Sequence, residues 1–150
     1  AQINGVTVLM GAGNTGTGSQ RVTIASDQAV VAVKTQPQTS GGFTTFHLAS
    51  AATTHVTSIK ASAGQVFGWY IYNSNAAARK VAFHNTAGGP TAGASVFFSI
   101  VIPALSAANV FTETGIAFST GIAITTVTGL ADNDSAAVAL NDLIMNIFYA

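Results

Sequence analysis

The stretch Gln65-Val66-Phe67-Gly68-Trp69-Tyr70-Ile71-Tyr72-Asn73 decides the fold. It is the strongest strand signal in the chain, dense in aromatic and β-branched side chains. Strand alternation puts Phe67, Trp69 and Ile71 on one face and Val66, Tyr70 and Tyr72 on the other. One set is expected in a core. The other, with Tyr70 and Tyr72, is expected to meet a partner.

Working outward, further short β-type segments recur with turn residues between them. Phe43–Leu48, Val56–Lys60 and Lys80–Asn85 flank the central stretch. Ser95–Ile102 reads as a buried strand that stops at Pro103. Asn109–Glu113 and Gly115–Phe118 read as two short strands, followed by Gly121–Thr128 and the terminal Leu143–Tyr149. The terminal strand is apolar on both faces and lacks Pro and Gly, so a central place in a sheet is expected. No segment keeps a helical period over three turns; Ser74–Arg79 is at most one short helical turn. Residues 43–150 are therefore expected to form an all-β domain, a β-sandwich of jelly-roll or Ig-like type.

Residues 1–42 differ. Val6–Met10, Arg21–Ala25 and Val30–Lys34 are β-type segments separated by Gly/Asn/Thr/Ser stretches, and Gln36-Pro37-Gln38-Thr39-Ser40-Gly41-Gly42 follows. These strands are too few and too short to close a core. The expectation is an extended N-terminal arm that needs a partner surface, followed by a linker.

Composition narrows the function. Charged residues make up 7% of the chain, five basic against five acidic, where about 25% is usual in soluble domains. With a 49% hydrophobic fraction, such a surface suits lasting cover by partners. Net neutrality argues against nucleic acid, which calls for a basic stripe. The longest apolar run, Val96–Leu105, is too short for a bilayer and is broken by Pro103. The first residues show neither the basic flank nor the apolar core of a signal peptide. There is no cysteine, which removes disulfide and thiolate chemistry.

Catalytic and ligand motifs are scarce. Gly11-Ala12-Gly13-Asn14-Thr15-Gly16 matches the dinucleotide-binding glycine pattern, but a β-branched segment follows where that motif requires a helix. His47, His55 and His84 show no metal-ligand spacing. Asp132 and Asp134 suit an Asx turn better than a cation loop, because the Gly and Glu of an EF-hand are missing. Glu113 and four aspartates leave little for paired-carboxylate chemistry. No enzymatic activity, metal or cofactor is expected. Arg79-Lys80 is the only paired basic spot, read as a solvated loop or an interface ion pair.

Two regions carry a resemblance. Gly16-Thr17-Gly18-Ser19-Gln20-Arg21-Val22-Thr23-Ile24-Ala25-Ser26-Asp27-Gln28 is similar to a segment that recurs in tailed-bacteriophage virion proteins. Phe46–Thr54, Lys60–Asn73, Asn109–Gly121 and Asn146–Tyr149 resemble a small phage structural domain associated with head decoration (cement) proteins. The resemblance implies a β-sandwich, as a homotrimer, on the capsid surface of the virion. Its implied partner is the major capsid protein, and it implies no catalytic residues. The arm residues Arg21, Val22 and Ile24, with Tyr70, Tyr72 and Arg79 of the domain, are the expected interface. The alternative is a receptor- or glycan-binding module of a head fibre or tail.

Overall fold

The computed structural model describes residues 42–150, together with a two-residue strand pair near the start, β1 (Gln2–Ile3) and β2 (Val6–Thr7). The chain divides into two units, Ala1–Pro37 and Gln38–Ala150. In the first, β1 and β2 pair antiparallel.

The second unit is all-β. Its strands are β3 (Thr44–Ala49), β4 (Thr57–Lys60), β5 (Gly64–Asn73), β6 (Arg79–Asn85), β7 (Phe98–Ile102), β8 (Ser106–Phe118), β9 (Ile122–Val127) and β10 (Leu143–Tyr149). They form two four-stranded antiparallel sheets, in the orders β3-β10-β5-β8 and β4-β9-β6-β7. The pairings nest: β3 with β10, β4 with β9, β5 with β8, β6 with β7. That is one long hairpin rolled up on itself, the strand order of a jelly roll. The terminal strand β10 lies centrally, between β3 and β5.

One core joins the sheets. Val66, Ile71, Met145 and Ile147 from the first pack with Val81, Phe83, Ile102, Ile122 and Ile124 from the second. Each such burial is worth about 1.5–3 kcal/mol. Phe83 stacks on Phe98 at 4.6 Å, and Trp69 leans on both rings.

The central stretch departs from simple alternation. Val66 is fully buried with Ile71, while Phe67 packs outside the sheet against Phe43. The cause is a bulge in β5 itself: Phe148 of β10 pairs with Gly68 but the next residue, Tyr149, pairs with Val66, so Phe67 is the extra residue, and Thr112–Gly115 of β8 loop out opposite it. Extra residues in a ladder shift the side-chain phase. The expected face set of Phe67, Trp69 and Ile71 is therefore corrected to Val66, Trp69 and Ile71.

Two other expectations are revised, and the bound of at most one helical turn at Ser74–Arg79 is met by none. Asn109–Glu113 and Gly115–Phe118 are one 13-residue strand, because the bulge absorbs the glycine without ending the ladder. The strand after Ser95 begins at Phe98 and lies at a sheet edge with Ser99 and Val101 exposed, so it is only half-buried. No helical turn forms after β5. Buried Asn73 accepts from the Asn75 amide and donates to the carbonyls of Ala77, Ile102 and Pro103, while Asn75 accepts from the Ala77 amide. Successive Asx turns thus satisfy the backbone that a helix would otherwise bond.

Candidate interaction surface

The two sheets differ in what covers them. In β6, Val81 and Phe83 face the core, so Lys80, Ala82 and His84 face away from it. These are nonetheless buried, as is Thr125 beside them on β9. The loops after β6 and β9 fold over this side. Lys80 Nζ donates to the Ala131 carbonyl and lies 3.4 Å from Asp132 Oδ1. His84 Nδ1 donates to the Ser95 carbonyl at 3.2 Å, and its Nε2 accepts from the Thr125 hydroxyl at 2.9 Å. Loss of hydration pushes the His84 pKa below the ordinary imidazole value, outweighing the Ser95 and Ala94 backbone contacts that favour the cation. The loops abut at Gly93, where a Cβ would come within 2.7 Å of the Asn133 carbonyl.

The first sheet has no such cover among the described residues. Its register places Tyr70 beside Asn109 and Asn146, and Gly68 beside Phe111 and Phe148, all on the outer face. Phe111 is 61% exposed and Tyr70 46%. Phe43, Phe67 and Phe111 form an outward aromatic cluster, with centroids 4.5 and 5.6 Å apart. Gly68 leaves a hollow among Tyr70, Asn109, Phe111 and Phe148, a shallow cleft of about 270 Å³. A Cβ there would meet the Val110 carbonyl at 2.5 Å, so only glycine lets β8 lie this close. His47 and Asn146 share a 3.0 Å hydrogen bond across β3 and β10. No lysine, arginine, aspartate or glutamate stands in this register.

The sides of the sandwich differ too. The edge strands β3 and β4 carry Thr44, Thr45, His47, Ser58 and Lys60. The edge strands β7 and β8, joined by the Pro103–Leu105 turn, leave Val101, Leu105, Val110 and Phe111 exposed.

Among the expected interface residues, Tyr70 and the half-buried Tyr72 stand on the open face. Arg79 does not, which corrects its reading as a solvated loop. It opens β6, is buried, and its Nε donates to Asp142 Oδ2 at 2.7 Å. Arg21, Val22 and Ile24 lie outside the described residues. Phe43, Phe111 and Val110 were not singled out from sequence, although one signal was there. Adjacent Val110 and Phe111 on a strand cannot both face the core.

The polar side chains are committed separately. His55 Nε2 accepts from the Ala51 amide in its own loop. Asp134 accepts from the Gly129 and Ala136 amides, forming the expected Asx turn. A second cleft of about 230 Å³ lies beside His84 and is lined by Asn85, Thr86, Pro90, Thr91 and Ser95. No three metal-ligating side chains converge among the described residues. Comparison with protein-family models, curated proteins and solved structures finds no match to this chain.

Proposed function

We propose that this protein is a decoration (cement) protein of a tailed bacteriophage, which binds the assembled major capsid shell and stabilises it. The observation that carries the reading is the asymmetry of the sandwich. One sheet is sealed by its own loops; the other presents Phe43, Tyr70 and Phe111 to solvent on an uncharged face. Exposed apolar surface bordered by polar residues marks an interaction site, and aromatic anchors carry most of the affinity at such sites. The sequence resemblance supplies the partner and the location on the capsid surface. The effect on the shell follows from mass action. Binding assembled subunits but not loose ones lowers the free energy of the assembled state. Many copies on one particle add their contributions.

The hollow at Gly68 favours a second reading. Tyr70, Phe111 and the Asn109 amide around it suit a sugar ring, as in a glycan-binding module of a head fibre or tail. Purified shells mixed with the full chain separate the two. Co-sedimentation and a raised shell melting temperature, both lost in Phe111→Asp, support the cement reading. No binding to shells, with retention on a glycan array, replaces it with the second.

A further inference from the structure

We infer that the protein pairs with a second copy of itself through β8, edge to edge, making one continuous eight-stranded sheet from two first sheets. This goes beyond shell binding and does not depend on it.

β8 ends its sheet and pairs only with β5 among the described residues. A free edge is a template for another strand, and proteins normally guard it with charge, proline or short length. Two of the other edges carry such guards, and the third is polar rather than apolar. β4 has four residues and ends at Lys60, β7 has five and stops at Pro103, and β3 carries Thr44, Thr45 and His47. Ser106-Ala107-Ala108-Asn109-Val110-Phe111 has none of these devices.

The sequence of that edge selects the occupant. Two copies joined antiparallel about a two-fold axis must place residues of the same face opposite one another. Centred on Asn109, the register sets Ala107 against Phe111 on the outer face and Ala108 against Val110 on the inner. Each bulky side chain meets a small one, and the two Asn109 amides face each other, donor to acceptor. No charge lies in this window to oppose its own copy, since the nearest, Glu113, falls beyond it. The exposed Val110 on the inner side is covered in the same step, while Phe111 stays on the open outer face. A two-fold pair differs from the trimer implied by the resemblance.

Light scattering on the full chain after size exclusion, over a range of concentrations, tests this. The expected mass is twice the 15.1 kDa of one chain. Asn109→Asp and Asn109→Lys, each at an exposed site, set like charges opposite one another and raise the dissociation constant by about 100-fold at neutral pH. Mixed one to one, the two variants restore the dimer. Ala107→Phe, which crowds Phe111 of the other copy without adding charge, also weakens it. A wild-type monomer or trimer overturns the inference. So does a dimer that survives both charged variants, or folded variants that fail to pair when mixed.

Discussion

Arg79 Nε and Asp142 Oδ2 meet at 2.7 Å where the two sheets come together, both side chains nearly closed off from solvent. Arg79 opens β6 of the second sheet, and Asp142 immediately precedes β10 of the first. The carboxylate also accepts from the Asn75 amide and the Ala139 backbone N–H. This small polar knot joins the turn after β5, the loop before β10 and the start of β6.

Removing one partner of such a pair leaves the other charge uncompensated. Asp142→Ala is therefore expected to cost about 3 kcal/mol in chemical denaturation. Burial alone would push the Asp142 carboxyl up. The Ala139 amide, the Arg79 guanidinium and the Asn75 amide outweigh that and hold it below the ordinary carboxylate value. With the folded pKa depressed, this contribution is present above the unfolded value near 3.8 and is lost as pH falls through the folded one. Asp142→Asn should remove that part of the acid sensitivity, and an unchanged acid limb would reject the assignment.

His84 sets a second pH dependence at milder acidity. Its folded pKa is depressed from 6.5, so its contribution to stability is fully present above that value and falls away below it. Thermal melts should decline from neutral pH toward pH 5, and His84→Gln should flatten that slope. Backbone amide exchange in the loop after β6, which His84 holds through the Ser95 carbonyl, should rise in the same range.

Gly68→Ala drives a methyl group against the Val110 carbonyl, at 2.5 Å before relaxation. The strands β5 and β8 must separate to admit it. A loss of about 1–3 kcal/mol is expected in thermal or denaturant unfolding. A neutral substitution would show that the two strands do not lie this close.

Phe111→Ser separates function from stability. The side chain is largely exposed and touches Phe43, so folding should lose no more than about 1 kcal/mol. Affinity for capsid shells should fall about tenfold or more. Equal shell binding by the variant and the wild type would move the contact off this face.

Strand positions were readable because each strand is a short β-branched or aromatic run bounded by turn residues, as in Gln65–Asn73. The place of β10 was readable because Leu143–Tyr149 has neither proline nor glycine. Faces were less readable. A bulge is a local insertion, and alternation carried through it places Val66 and Phe67 on the wrong sides. The partner of Arg79 was hidden because Asp142 is 63 residues away.

Composition and periodicity by themselves determined an all-β domain, poor in charge, with a terminal strand at the centre of a sheet. These depend on neighbouring residues, which a linear reading samples directly. The tertiary structure alone decided the jelly-roll order, the register break at Phe67 and the choice of exposed face. Those depend on contacts between distant segments. Loops after β6 and β9 happen to seal Lys80 and His84 under one sheet, and no equivalent described segment covers Tyr70 and Phe111 on the other.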